Sequence, residues 1–189
     1  MKRGSQTGFT LIELLIALAI FGFLILLAGP MYGQFMGNHQ IRNGTDAMLN
    51  GVQQAQGAAV SHNALARLVV DFTTGTGGWR VLQTIDGAES ATPVQIYKVH
   101  EGADRASFTP VPADATQITF DGFGRIVPNV DASSTLTCIK VTNSNVSNPH
   151  NLNVAINVTG LTLSRTKLCD PALPKDDPTE PLSCPTACS

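Results

Sequence analysis

Charged and aromatic side chains are scarce in this 189-residue chain. Only 14% of the residues are charged, 6% are aromatic, and the formal net charge is −2. The sequence has no block of basic residues of the kind that neutralises the phosphates of a nucleic acid. A protein that depends on a strongly electrostatic nucleic-acid surface is therefore not supported.

The motifs of common catalytic and metal sites are also missing. The sequence has neither a nucleophile elbow nor a protease zinc motif. The glycines at 75–78 lack the Gly-Lys-Ser/Thr ending of a phosphate loop. The histidines are scattered without metal-site spacing and are His39, His62, His100 and His150. These absences predict a protein that is not an enzyme and that carries no cofactor and no metal.

What the chain does contain is a long apolar run near its start. Residues 9–32 include a single charged residue, Glu13. A helix of this length rises about 36 Å, more than the ~30 Å of a bilayer's hydrocarbon core. Because Lys2 and Arg3 precede the run, we expect a cytoplasmic N-terminus and an exported remainder. A carboxylate inside such a span costs about 2.5–3.5 kcal/mol, which makes Glu13 a functional candidate.

The residues before the apolar run carry a family resemblance. Residues 1–8 are polar and basic, whereas a secretory signal peptide has its apolar region before the cut. Gly8, followed by Phe9, Thr10 and Glu13, resembles the processing site of type IV pilins and type II secretion pseudopilins. The resemblance implies a prepilin peptidase that removes this leader peptide. The enzyme would cut between Gly8 and Phe9 and would methylate the new N-terminus at Phe9.

The same resemblance implies a role for Glu13 in assembly. A carboxylate in apolar surroundings needs a positive partner, and cleavage would create one in the amine of Phe9. Since Glu13 lies four residues from Phe9, the two groups can pair within one helix. In a filament, the Phe9 amine of an incoming subunit can meet Glu13 of its neighbour. Such a pair would set the register between subunits.

The apolar run continues into an amphipathic helix over residues 33–62. Proline inside a helix costs ~3 kcal/mol, so we expect a kink or a melted turn between Gly22 and Pro30, where many pilins have a kinking proline. Four glycines weaken the helix by up to ~1 kcal/mol each, so it needs support from its own domain. A stripe with spacings of 4 and 3 predicts packing on a sheet, rather than a free coiled coil. Its members are Ile41, Thr45, Met48, Val52, Ala55 and Ala59.

Residues 63–169 are predicted to form a β-rich globular domain. We expect residues 100–115 to be an irregular connection and the polar loop 143–150 to be an exposed surface. The predicted strands are 65–72, 79–85, 94–99, 116–120, 126–128, 136–142, 151–158 and 161–168, the last being a strand of its own or a continuation of the one before.

The C-terminal part contains all four cysteines, Cys138, Cys169, Cys184 and Cys188. An even number in an exported domain indicates two disulfides, although four cysteines allow three connectivities. We favour Cys138–Cys169 and Cys184–Cys188. Half of a zinc site at Cys184 and Cys188 is the weaker alternative, because no histidine lies nearby. Residues 170–189 hold five prolines and are expected to be an extended tail held by the cysteines.

The part of the chain after the anchor resembles one subgroup of these proteins, the H-type pseudopilin (GspH) and FimU/FimT minor pilin group. The resemblance is carried by Arg67–Phe72, Gly78-Trp79 and Phe120–Arg125. The implied fold is α+β, the type IV pilin fold. In it, a long kinked N-terminal helix, with a transmembrane half and an amphipathic half, packs on an antiparallel β-sheet domain.

Some members of this group bind DNA, so DNA binding is considered as a possible function of this chain. FimT-like members bind DNA through a C-terminal Gly-Arg-x-Arg motif. Here Gly160 is followed by Leu161 and Leu163 at the two arginine positions, so the motif is missing. Arg165 and Lys167 would share one face of a strand and would give a salt-dependent foothold at most.

The resemblance implies a structural minor pilin that joins or primes a type IV pilus, near its tip. Two alternatives stay open, an H-type pseudopilin of a type II secretion system and a DNA-binding minor pilin for natural transformation. The implied partners are prepilin peptidase, other pilins or pseudopilins in a filament, and the inner membrane before assembly. The protein would cross the bacterial inner membrane once, with its C-terminal domain in the periplasm, before entering a pilus or pseudopilus.

Overall fold

The computed structural model describes residues 8–72, 77–85, 88–156 and 166–188, with the side chains of residues 27–30 and 85 left out. Most of the predicted leader peptide, residues 1–7, therefore lies outside the described residues. So do residues 160–165, which include the missing motif and Arg165.

One long helix, α1, spans Leu11–His62. It ends at Asn63, whose left-handed backbone (φ 47°) lets its N–H reach the carbonyls of Ala59 and Val60. The position of this end agrees with the sequence-based prediction. A bend of 44° divides α1 into two segments, Leu11–Leu26 and Met31–His62. Within the described residues, no single straight helix is long and apolar enough to cross a membrane, but these two segments together pass that test by length and composition.

The bend confirms the expected kinked helix and narrows its place. Gly22 lies inside the first segment, so the break falls after it, between Leu26 and Met31. Pro30 is one of the four residues in this break, and its side chain lies outside the described ones. A proline at this point removes a helical hydrogen bond and clashes with the preceding turn, which accounts for a bend here.

The predicted apolar stripe of α1 is the face that packs on the sheets. All six of its members are at most 2% exposed. Thr45, the one polar member, donates its hydroxyl to the carbonyl of Ile41 at 2.7 Å, which satisfies its hydroxyl inside the core. Each apolar member contributes about 25 cal/mol per Å² of surface removed from water.

Two antiparallel sheets lie against this face. The first has the order β3-β2-β1-β6-β7, with β4 also pairing with β2, and the second has the order β10-β9-β8-β5. The strands are β1 Ala66–Asp71, β2 Gly78–Ile85, β3 Ala88–Glu89, β4 Gln95–Lys98, β5 Ser107–Val111, β6 Gln117–Phe120, β7 Ile126–Val127, β8 Cys138–Thr142, β9 Leu152–Ile156 and β10 Thr166–Cys169.

Three predicted strand pairs are present. The β1–β2 hairpin pairs Leu68 with Val81, the β6–β7 hairpin pairs Phe120 with Ile126, and β8 pairs with β9. Because strand residues alternate between faces, Leu68, Val81 and Phe120 all enter the core.

The prediction of an irregular connection over residues 100–115 is wrong for its middle part, residues 107–111. This stretch contains β5, which pairs with β8 from Ser107↔Thr142 to Val111↔Cys138. Pro110 obscured the strand, because proline cannot donate to a ladder. It is tolerated here since β5 is the edge strand of the second sheet.

The loop 143–150 is only partly the exposed surface that its polarity suggests. Asn143 and Val146 are buried against α1. The Asn143 amide donates to the carbonyl of Gly37 and to Oε1 of Gln40, both at 3.4 Å. The long helix therefore offers hydrogen-bond acceptors that a reading of the loop alone could not reveal.

Three of the helix glycines allow close packing. A Cβ on Gly37 would meet Val146, one on Gly44 would lie 2.8 Å from the Phe108 ring, and one on Gly51 would lie 2.8 Å from the Trp79 ring. Seven residues separate successive members, so the three share one face of α1. Glycine at these three positions weakens the helix, but it also allows the rest of the domain to approach α1 closely.

Glycine-to-alanine substitutions should separate packing from propensity. Gly51→Ala is expected to lower the free energy of unfolding by about 1–3 kcal/mol, because its methyl group overlaps the Trp79 ring. Gly57 has no atom within 4 Å of the same position, so Gly57→Ala should raise that free energy by about 0.5–1 kcal/mol. Denaturant unfolding of the detergent-solubilised chain measures both effects. A shift in the same direction for the two variants would contradict the packing role.

The C-terminal segment is folded rather than extended. Its two disulfides join Cys138 to Cys188 and Cys169 to Cys184, so the pairing that we favoured is wrong and a zinc site at these cysteines is excluded. The four cysteines form one buried cluster beside the second sheet. The side chain of Asn153, in β9, donates to the carbonyl of Cys188 at 2.6 Å and holds the chain end against the sheet.

Candidate assembly surfaces

The N-terminal part of α1 is an apolar rod without cover. Every described side chain from Phe9 to Leu26 is exposed, and Glu13 is the single charge among them. The same helix continues into the core of the globular domain. An exposed apolar surface of this extent marks a site of contact with a membrane or with other proteins.

Glu13 lies in the first turn of this rod. Thr10 is the N-cap residue, and its hydroxyl accepts a hydrogen bond from the Glu13 backbone N–H at 3.3 Å. An acidic side chain in the first turn also interacts favourably with the helix dipole. In the isolated subunit, the Glu13 backbone N–H thus has a partner in the Thr10 hydroxyl. The proposed partner of the Glu13 carboxylate, the Phe9 amine, would exist only after cleavage.

Of the two predicted DNA-binding cations, only Lys167 is described. Its ammonium group donates to the carbonyl of Ser183 at 2.6 Å, so the C-terminal segment occupies it. This contact gives the DNA-binding prediction no support.

A groove follows α1 where the helix enters the globular domain. We call it the proximal groove, and it has a volume of about 340 Å³. The His150 N–H donates to Oδ1 of Asn38 at 3.0 Å, which joins the two walls. On the helix wall, the rings of Phe35 and His39 meet edge to face, with centroids 4.3 Å apart. The groove is lined by Phe35, Asn38, His39, Arg42, His150, Leu152 and Asp170.

This groove was not predicted from the sequence. The four histidines are far apart along the chain and were expected to be separate surface residues, but the fold brings His39 and His150 to one site. No local pattern could have indicated this, because the two walls come from opposite ends of the domain sequence.

A tight turn projects at the other end of the domain. This distal turn, residues 121–125, joins β6 to β7 and rests on the last turns of α1. Gly124 adopts φ +74°, and its carbonyl accepts a hydrogen bond from Gln56 at 2.9 Å. A Cβ on Gly122 would collide with Asn63. The glycines of the turn are thus required by close approach to the helix and, at Gly124, by a positive φ.

One carboxylate holds the distal turn in shape. Oδ1 of Asp121 accepts hydrogen bonds from the backbone N–H groups of Phe123 and Arg125, each at 2.9 Å. Oδ2 accepts two more from the Arg125 guanidinium, at 2.7 and 2.9 Å. Desolvation raises the pKa of the Asp121 carboxyl, but these hydrogen bonds offset it and hold that pKa below its usual value.

The distal turn presents an aromatic ring to the solvent. Phe123 is 71% exposed, and the Arg125 guanidinium lies over its ring, 5.0 Å from the centroid. In the described part of residues 37–188, no other phenylalanine, tyrosine or tryptophan is exposed. The glycines in the sequence indicated a turn here, but they did not indicate that the Phe123 ring would be exposed.

Within the described residues, no three His, Cys, Asp or Glu side chains are grouped so that they could hold a metal ion. The acids of the C-terminal segment contact their own chain instead. Asp176 accepts from Thr186, and Asp177 accepts from Thr179.

Comparisons with known proteins agree with this architecture. Residues 3–29 match the prokaryotic N-terminal methylation motif, and residues 44–160 match the family of the type II transport protein GspH. A comparison with curated proteins found no match.

The solved structures include two crystal forms of the type IV minor pilin FimU from Pseudomonas aeruginosa (strain PAO1). The P21 form is 18% identical, with a TM-score of 0.50 over 71% of this chain and 91% of that chain. The P65 form is 16% identical, with a TM-score of 0.46 over 67% and 90%. At this identity the likeness concerns the fold.

The long bent helix, its N-terminal methylation motif and the antiparallel sheets define a type IV pilin-like protein, a minor pilin or pseudopilin. Because the family model covers more than half of the sequence, the chain belongs to the family of the type II transport protein GspH. The family and the fold are those of structural subunits, which are anchored in a membrane and assemble with other pilins.

Proposed function

We propose that this protein is a structural prepilin that joins or primes a type IV pilus near its tip. The observation that carries the proposal is the uncovered apolar rod, continuous with a folded domain and bearing one carboxylate. Such a rod needs two environments, the inner membrane before assembly and a core of parallel helices afterwards. The globular domain would lie in the periplasm until assembly.

Glu13 and Phe9 set the register in this proposal. Leader removal after Gly8 frees the Phe9 amine, which pairs with Glu13 of a neighbouring subunit inside the apolar core. A charge pair in such surroundings has to be complete, because a lone buried charge costs several kcal/mol. Pairing therefore stops each incoming subunit at one axial position.

A second candidate function is that of an H-type pseudopilin in a type II secretion system. The match of residues 44–160 to the family of the type II transport protein GspH favours it. Both functions use the same processing and the same rod, and they differ in the filament that receives the subunit. Isolating filaments from the host and identifying their major subunit would separate the two.

Intact mass of the protein purified from its own host tests the proposal. We expect a chain that begins at Phe9, carries one added methyl group and has lost four hydrogens to two disulfides. The variant Gly8→Ala should keep its leader, because the peptidase needs glycine before the cut. An uncut wild-type chain, or normal cleavage of Gly8→Ala, would overturn the proposed processing.

A further inference from the structure

The proximal groove lies next to the point where the apolar rod ends. Tyr32 is the last residue of the apolar run, and Phe35, His39 and Arg42 follow it at spacings of 3, 4 and 3. These spacings place the four side chains on one face of α1, and all four are exposed. With increasing distance from the rod, two aromatic rings are therefore followed by an imidazole and then by a guanidinium.

This order matches the order of layers in a lipid bilayer. Aromatic side chains concentrate at the boundary between hydrocarbon and headgroups, and cationic side chains near this boundary are attracted to anionic headgroups. The side chains of a helix tilt toward its N-terminus, which here is the membrane end. The Arg42 guanidinium therefore reaches back toward the headgroups, as long cationic side chains do at membrane surfaces.

The height of Arg42 above the hydrocarbon is compatible with this contact. Arg42 follows Tyr32 by ten residues, a rise of about 15 Å along the helix. With the first segment of α1 along the membrane normal, the 44° bend reduces this height to about 11 Å. The headgroup layer extends about 5–8 Å beyond the hydrocarbon core on each side. A long side chain that points back toward the membrane bridges the difference.

The Arg42 guanidinium is available for an anion. Both ion pairs among the described residues involve other arginines, so Arg42 has no carboxylate partner there. Asp46, the next acid along α1, lies one turn farther from the rod. Asp170 is the acid in the lining of the groove, and its carboxylate accepts the backbone N–H of Ala172 at 2.8 Å. The lining thus sets one guanidinium and two imidazole rings against one carboxylate, which favours an anionic ligand.

We propose that the proximal groove binds the headgroup phosphate of an anionic phospholipid while the rod lies in the membrane. Arg42 binds the phosphate oxygens, and ring N–H groups of His39 and His150 donate to the same phosphate. Phe35 and Leu152 line the same groove and contact the glycerol and the start of the acyl chains. The volume of about 340 Å³ is within the range of small-ligand sites. The inference rests on the membrane stage of the proposed function.

The overall charge of the protein makes a local site necessary for such a preference. The chain has a formal net charge of −2, so its overall charge does not attract an anionic membrane. A preference for anionic lipid by the globular domain must then come from a particular group of side chains. Removing one of them should therefore have a large effect on lipid selectivity, and removing an arginine elsewhere should not.

Lipid selectivity in nanodiscs tests the inference. The full-length chain is placed in nanodiscs made of equal amounts of phosphatidylglycerol and phosphatidylcholine, and the lipids that stay bound in detergent are counted by native mass spectrometry. We expect the wild type to retain an excess of phosphatidylglycerol. The ratio of the two retained lipids should be about fivefold lower for Arg42→Gln, whereas Arg42→Lys should keep most of the excess because it keeps the charge.

Arg80→Gln is the matched control. Arg80 is exposed on β2, outside the groove, so the substitution removes the same charge and should leave the lipid ratio unchanged. Lys2 and Arg3 are present in every variant and cannot cause a difference between variants. Since Arg42 is exposed and has no ion pair among the described residues, Arg42→Gln should keep the unfolding midpoint of the wild type.

Three results would overturn the inference. They are a wild-type lipid ratio equal to that of the nanodisc, equal ratios for the wild type and Arg42→Gln, and an equal decrease for Arg80→Gln. A chain that does not enter the nanodiscs would overturn the membrane stage of the proposed function together with this inference. A chain that enters the nanodiscs but retains lipids without selectivity would overturn this inference alone.

A photo-crosslinking amino acid at Phe35 identifies the occupant in the membranes of the host. We expect adducts with anionic phospholipid, at a higher yield than from the same probe at Met36. Met36 is also exposed and lies at nearly the same depth, but its side chain points to a different side of α1. Adducts with a protein in place of lipid, or equal lipid yields at the two positions, would show that the groove is not a phospholipid site.

Discussion

Replacing Glu13 with alanine is expected to exclude the protein from filaments while leaving it in the membrane. Insertion should be unchanged or improved, because a carboxylate in the apolar span costs about 2.5–3.5 kcal/mol. If Glu13 pairs with the Phe9 amine of a neighbour as proposed, the substitution would leave that amine without its partner in the filament core. Breaking a buried pair costs about 3–5 kcal/mol, which corresponds to more than a hundredfold loss of incorporation. Immunoblots of sheared filaments and of membranes measure the two quantities.

Thr10→Ala supplies a matched control for this experiment. It removes the hydroxyl that caps the first turn, at a cost of about 0.5–2 kcal/mol to the helix, but keeps the carboxylate of Glu13. If charge pairing sets the register, Thr10→Ala should assemble far better than Glu13→Ala, and Glu13→Gln should fail as Glu13→Ala does. Filaments that contain Glu13→Ala or Glu13→Gln at wild-type levels would show that the charge has no role in register.

Removing the Cys138–Cys188 disulfide is expected to produce the largest loss of stability. The bond closes a loop of 50 residues, for which the chain-entropy relation gives about 4 kcal/mol. Domains of this size are stable by only about 5–15 kcal/mol, so the double variant Cys138→Ser/Cys188→Ser should lose a large part of its stability. Denaturant unfolding of the detergent-solubilised, oxidised chain measures the difference.

The second disulfide supplies the comparison. Cys169–Cys184 closes a loop of 15 residues, so Cys169→Ser/Cys184→Ser should lose about 3 kcal/mol, less than the first pair. Peptide mapping without reductant checks the connectivity directly. A peptide that links Cys138 to Cys169 would contradict the pairing on which both numbers depend.

The processing motif, the apolar run, the buried helix face and two of the hairpins could all be predicted from local sequence patterns. The processing motif from Gly8 to Glu13 is read by its spacing, and the apolar run is read by its length. The buried stripe from Ile41 to Ala59 follows from helical periodicity, since an amphipathic helix shows its inner face in every turn. Hairpins such as β1–β2 and β6–β7 were predictable because their strands are close in sequence and their turns carry glycine.

The features that escaped prediction all depend on distant parts of the chain. The cysteine pairing is set by which strands meet, and β5 is a strand only because β8 offers it an edge. The proximal groove brings Phe35 and Leu152 together, and Asn143 of the polar loop is buried where it donates to the carbonyl of Gly37.

The sequence by itself thus determined the class of protein, the N-terminal methylation motif, the apolar N-terminal helix and the buried helix face. These depend on residues within a few turns of one another, so the order of the side chains contains the information. The disulfide pairing and the proximal groove were decided by the tertiary structure alone. Each needs two segments that contribute no signal until packing against the long helix brings them together.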